Sequence, residues 1–179
     1  MQQINLDKIM NELNRISRMA IIENAPDTEK MLTTLIKFLK YRYNNKVNAI
    51  VTQELRMAKS ICNFYKIKTG RNIEFIAHFD ENQLNSFLVP SFSILSMYYC
   101  LLESTKENTN ENDLKITTSF LNNRLDIQFQ GEFDFQTLYK DAYEFLVDEQ
   151  ISIKQAINSI KGTDIEVYDN MIQVHIPLE

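Results

Sequence analysis

The side chains of this 179-residue chain with most chemistry to offer are two histidines, two cysteines, two acids beside a glycine, and a charged stripe near the start. His78 and His175 both stand in alternating segments that read as strands, far apart in sequence. A metal site or proton relay would need a third ligand and a carboxylate partner that this spacing does not supply, so both read as ordinary sheet residues. Cys62 and Cys100 lie at helical spacing among apolar residues and read as reduced, buried thiols rather than a disulfide or redox pair. Glu132 and Asp134 have the spacing of an acid–base pair, but a strand-to-helix turn also carries acids at a helix N-terminus, and that reading is preferred. Phe92, Met97, Tyr98 and Tyr99 could line a ligand, yet aromatics at helical spacing read first as core. Asp7, Lys8, Asn11 and Arg15 lie within two turns on or beside one face of the first helical segment, as a docking surface or a merely solvated one.

These residues must be positioned by elements that the periodicity marks out. From Gln2 to Asn24 the apolar residues Ile4, Ile9, Leu13, Ile16 and Ala20 recur at helical spacing, and Ala25-Pro26-Asp27 makes a sharp stop. A second helix runs from Asp27 or Thr28 through Leu35, Leu39 and Tyr43. Val47, Ile50 and Val51 are β-branched, and Thr52 restarts a helix that ends at Gly70; whether the chain breaks between the two helices is left open. Such a hairpin has two wide apolar faces and cannot bury both on itself, so it is expected to pair with a second copy as a four-helix bundle.

After Gly70 the period becomes extended at Ile73–Phe79. Pro90 opens an apolar helix from about Ser91 to Lys106, and Glu107–Asp113 is a polar loop. Strands Leu114–Leu121 and Leu125–Gln130 meet at Asn122-Asn123, a good two-residue turn. Helices are expected at about Phe135–Val147 and Ser152–Ile160, then a hairpin of Ile165–Tyr168 and Met171–Ile176 turned at Asp169-Asn170. The fold class is therefore α+β: a dimerising helical hairpin over residues 1–69, then a mixed sheet covered on one face by helices over 70–179.

Forty-four per cent hydrophobic residues with 24% charged is ordinary globular composition, and the net charge of −5 argues against a nucleic-acid partner. No run reaches the roughly 18 apolar residues of a membrane span, and the polar N-terminus does not resemble a signal peptide, so the expectation is a cytoplasmic chain with no membrane segment.

Four short motifs, in order, resemble the cytoplasmic core of the LytS-type sensor histidine kinases. Gln3, Ile4, Asn5, Asn11, Leu13, Asn14 and Ile16 match the family's Gln-Ile-Asn-Pro-His-Phe-Leu-Phe-Asn-x-Leu-Asn-x-Ile, with Leu6-Asp7-Lys8 in place of Pro-His-Phe. Leu39-Lys40-Tyr41 is similar to its Leu-Arg-Tyr, Val51-Thr52-Gln53-Glu54-Leu55 to its Val-Thr-Leu-x-x-Glu-Leu shortened by two, and Val89-Pro90 to its Ile-Pro ahead of the nucleotide-site helix. The resemblance covers about the first 105 residues and continues only as architecture. In plan the chain also resembles the dimeric sporulation-initiation phosphotransferase of the phosphorelay, whose nucleotide domain has lost ATP binding.

What the resemblance implies is a histidine-kinase-type ATPase sandwich without its chemistry. Asp7 occupies the phosphoacceptor histidine position. The family's Glu-Asn pair falls on Tyr99-Cys100 and its His-Gly on Ser104-Thr105, and a thiol is a poor magnesium ligand. Its Asp-x-Gly-x-Gly meets Gln130-Gly131-Glu132-Phe133-Asp134, with no second glycine, and Gly70, Gly131 and Gly162 are too few for a glycine-rich lid. Cys100, Ser104, Gly131 and Asp134 are thus expected to mark a degenerate nucleotide site needing no cofactor or metal. Asp7, Lys8, Asn11 and Arg15 would bind a response regulator receiver domain or a partner histidine kinase, Asp7 mimicking the charge of phosphohistidine or tolerated once catalysis was lost. The alternative is an active phosphorelay phosphotransferase or nucleotide-binding sensor kinase, which requires one of the two histidines exposed on a helix or an open nucleotide pocket. A bare dimerisation module with an unrelated ligand in its sheet domain is a third reading.

Overall fold

A computed structural model describes residues 6–43, 47–105, 113–135, 142–144 and 150–178. Two compact units divide the chain, Met1–Asn45 and Lys46–Glu179. The first is a helical hairpin of α1 (Leu6–Ile22) and α2 (Pro26–Tyr43). Its turn is a Schellman motif: Asn24 takes a left-handed φ of 53°, and the amides of Asn24 and Ala25 bond to the carbonyls of Ile21 and Ala20 at 3.2 and 2.8 Å. Pro26 then opens α2, where its missing N–H costs nothing.

The second unit begins with β1 (Asn48–Ile50), so the chain does break between the helices. α3 (Val51–Thr69) follows at once and ends at Gly70, left-handed with φ 72°. Periodicity groups α3 with the hairpin and sets the division at Gly70. In the structure α3 belongs with the sheet unit, burying Val51, Leu55, Ala58, Ile61, Cys62 and Tyr65 on a face packed against α5 (Ser93–Ser104) and β2 (Ile73–His78). Between β2 and α5 come α4 (Glu81–Leu84) and β3 (Leu88–Pro90), and β3 pairs with β1 in a short antiparallel ribbon.

β4 (Leu114–Leu121), β5 (Arg124–Gln130), β8 (Asp164–Tyr168) and β9 (Met171–Pro177) join β2 in a five-stranded sheet of order β2-β4-β5-β9-β8, parallel between β2 and β4 and antiparallel elsewhere. Asn122 and Asn123 both take positive φ, 52° and 56°, as the expected tight turn between β4 and β5 requires. The helix expected over 135–147 is corrected at Ala142–Glu144, which is a strand, β6, paired with β7 (Gln150–Ser152). Residues 136–141 and 145–149 of that expected helix lie outside the described residues. α6 (Ile153–Asn158) starts where expected, with Ser152 and Gln155 forming a capping box.

The core lies between the sheet and α5, whose residues from Ser93 to Leu102 are all buried. A helix apolar all round must be surrounded, and α5 has α3 on one side and α6 on the other. Tyr98 stands at the centre, edge-on to Phe129 with centroids 5.0 Å apart, its hydroxyl 2.8 Å from that of Thr118. Met97, Tyr98 and Tyr99 are therefore core, as expected, whereas Phe92 of the same stripe is only half-buried, at the α5 N-cap.

Candidate functional site

On α1 each residue advances by about 100°, which sorts its side chains into three arcs. Met10, Ser17 and Ala20 are buried, with Leu13 half-buried, on the arc that packs against α2. Asp7, Lys8, Asn11 and Arg15 are all exposed and fall within an arc of about 100° on the opposite side. On the flank between lie Ile9, Ile16 and Met19, which are 39%, 46% and 48% exposed. The helix thus carries a charged face and a separate apolar one, both open within the hairpin.

The four positions expected to mark a nucleotide site lie on α5 and at the end of β5. Cys100 is fully buried, and burial pushes its thiol up to about 12. Ser104 is the last residue of α5, and its side chain lies outside the described residues. Gly131 is half-buried and Asp134 exposed just past β5. With Gly131 as the first glycine of Asp-x-Gly-x-Gly, the carboxylate position falls on Phe129 and the second glycine on Phe133. Phe129 is core, and Phe133 is 5% exposed with its ring against Gly131.

Both cysteines are free and buried, as expected, and burial raises the Cys62 thiol further still. Neither supplies thiolate at neutral pH. At pH 8 the native chain is expected to show no fast-reacting thiol toward a disulfide reagent, and the denatured chain two; a prompt native reaction would place one in an open pocket.

Sequence reasoning missed Glu54. Its side chain is fully buried, with Oε1 accepting from the Phe92 amide at 2.8 Å and Oε2 from the Leu95 amide at 2.9 Å. One carboxylate thus satisfies two amides at the α5 N-terminus, where the helix dipole favours negative charge. The one signal for it was the resemblance of Val51-Thr52-Gln53-Glu54-Leu55 to a family segment two residues longer. A second missed cluster joins the far ends of the same helices: the Tyr65 hydroxyl donates to the Glu103 carboxylate, its ring is edge-on to Tyr99, and the Lys68 ammonium lies 4.9 Å from the Tyr65 centroid.

The histidines do not form a site. His78 is exposed on edge strand β2, and His175 Nδ1 lies 2.5 Å from Asp126 Oδ1, which also meets Arg124 Nε at 2.9 Å. The pairing puts His78, Ser119, Asp126 and His175 in one row across the sheet, with three strand spacings, about 14 Å, between the imidazoles. Among the described residues no group of three or more acids, histidines or cysteines could hold a metal ion.

Comparison with known proteins places this geometry. A histidine kinase family model matches residues 1–73. Comparison with curated proteins returns no match. The fold is similar to that of the Acinetobacter baumannii histidine kinase AdeS, with a TM-score of 0.53 at 8% identity over 96% of each chain. It is also similar to the nucleotide-free catalytic domain of the histidine kinase ThkA, with a TM-score of 0.52 at 12% identity over 73% of this chain and 95% of that one. A third similar structure is the blue-light activated histidine kinase of Erythrobacter litoralis, TM-score 0.50 at 12% identity, over 99% of this chain and 64% of that one. At such identities the likeness is one of fold. The chain is histidine-kinase-like: its first 73 residues match that family's model, and its sheet and helices share the fold of histidine kinase catalytic domains.

Proposed function

We propose that this chain is a degenerate, LytS-type histidine-kinase-like protein of a two-component or phosphorelay pathway, acting by protein binding without ATP-dependent autophosphorylation. The observation that carries this reading is the set of side chains at the positions where nucleotide chemistry would reside: a buried thiol at Cys100, a core aromatic at Phe129 and a buried aromatic at Phe133. None offers the hard oxygen ligand, adenine-reading carboxylate or glycine clearance that the chemistry requires. The reading as an active phosphotransferase needs an exposed histidine on a helix, and both histidines stand on strands.

The partners follow from the two open faces of α1. The apolar flank of Ile9, Ile16 and Met19 suits a second hairpin, giving a homodimer with a four-helix bundle. The charged face of Asp7, Lys8, Asn11 and Arg15 suits a receiver domain or a partner kinase, with Asp7 presenting a fixed negative charge. No described helix is long and apolar enough to cross a membrane, which is compatible with a cytoplasmic pathway.

Thermal unfolding with and without millimolar Mg-ATP tests the reading. A nucleotide at about a hundredfold over its dissociation constant stabilises by about 2.7 kcal/mol and raises the midpoint by roughly 5 °C or more at this size. No shift is expected. A rise of that size would overturn the reading and reopen a nucleotide-dependent activity.

A further inference from the structure

Gly131 is needed for clearance rather than backbone freedom. The other two glycines, Gly70 and Gly162, take left-handed φ values of 72° and 79°, a conformation that favours glycine, whereas Gly131 is not among the positive-φ residues. A Cβ at Gly131 would stand 2.5 and 2.8 Å from two ring carbons of Phe133, and 3.0 Å from the Asp113 carbonyl oxygen. The space a glycine leaves open is therefore filled by an aromatic ring two residues along. That ring is held as a bound aromatic would be: the Phe135 ring meets it edge-on at 5.9 Å and 77°, and the Arg71 guanidinium carbon lies 5.2 Å from its centroid.

We propose that the turn after β5 is a binding site for a planar aromatic group, and that its resident occupant is the chain's own Phe133. The inference rests on the reading of the nucleotide domain as inactive and explains how its site is kept closed. A ring tethered by two residues acts at an effective concentration in the millimolar range or above, so a free aromatic of ordinary affinity does not displace it. Removing the ring leaves the glycine clearance, the Phe135 edge and the Arg71 cation in place.

The test uses the full chain and its Phe133→Ala variant, with indole as the probe. The variant is expected to gain saturable indole binding, raising its unfolding midpoint by about 3 °C or more at roughly tenfold over the dissociation constant, while the unsubstituted chain shows no shift. Gly131→Ala is expected to lower the midpoint strongly in the unsubstituted chain and clearly less beside Phe133→Ala, because the two shortest contacts are with the ring and only the 3.0 Å contact with the Asp113 carbonyl oxygen remains. A folded Phe133→Ala chain that ignores indole, or a Gly131→Ala cost equal in both backgrounds, would overturn the proposal. Should Phe133→Ala fail to fold, Phe133→Val, whose side chain ends short of both ring carbons that face Gly131, carries the Gly131→Ala comparison, and an equal cost there has the same meaning. A Mg-ATP shift in the unsubstituted chain would instead sink the reading of an inactive nucleotide domain, so the two failures are distinguishable.

Discussion

Replacing Glu54 with alanine is expected to lower the unfolding free energy by about 3–4 kcal/mol, more than a typical single substitution. The carboxylate has no exposure and binds the amides of Phe92 and Leu95, so its loss leaves one buried and one part-buried donor unsatisfied, at about 1–3 kcal/mol each. Relief of a buried charge offsets part of this, which keeps the figure below the sum. Phe92 adds to the effect: its left-handed φ of 69° is strained for a bulky residue, and the carboxylate on its amide helps to hold it there. Glu54→Gln keeps one acceptor and should cost about half as much. Arg56→Ala is the control on the same helix. Its partner Glu81 is exposed, as is Arg56 itself, and no measurable loss is expected. Urea unfolding of the three variants checks the order. A Glu54→Ala chain as stable as the Arg56→Ala chain would mean that the α5 N-terminus is held by something else.

The second large effect is on assembly. The unsubstituted chain should sediment at twice its mass of 21.1 kDa, and a chain carrying Ile9→Glu with Ile16→Glu should sediment as the monomer. Two like charges on each apolar flank would face the same charges across a two-fold axis, and neither position is buried within its own hairpin, so the fold should survive. Circular dichroism showing retained helix, together with a lower sedimentation coefficient, is the expected pair of results. A monomeric unsubstituted chain, or a double variant still at dimer mass, would remove the bundle from the proposed function and leave only the charged face of α1.

Local rules made much of this molecule legible. The stop at Ala25-Pro26-Asp27, the Asn122-Asn123 turn between β4 and β5 and the start of α6 near Ser152 were legible because each acts through neighbours within a few residues, although α2 begins at Pro26 itself and not at a cap on Asp27 or Thr28. What escaped depends on distance along the chain. Glu54 reads as a helix-surface acid until the segment at 92–95 is folded against it. α3 has the same helical period as α1 and α2, and nothing within it says that its apolar face meets α5 instead of the hairpin. Ala142–Glu144 became a strand by pairing with Gln150–Ser152, which no short apolar pattern announces. At the site, the residue types at 100, 129 and 133 were readable from the start, but the ring of Phe133 seated against Gly131 was not.

The sheet order has a consequence for how the chain is made. β9 lies between β5 and β8, so until Met171–Pro177 has been synthesised β5 presents an unpaired edge and β8 has no neighbour in the sheet. During synthesis the helical hairpin can form on its own contacts within the first 45 residues, while the sheet unit waits for the antiparallel strand that joins β5 to β8. A premature stop ahead of Met171 should therefore yield a folded hairpin attached to an aggregation-prone, half-built sheet, because β9 closes the sheet from its interior.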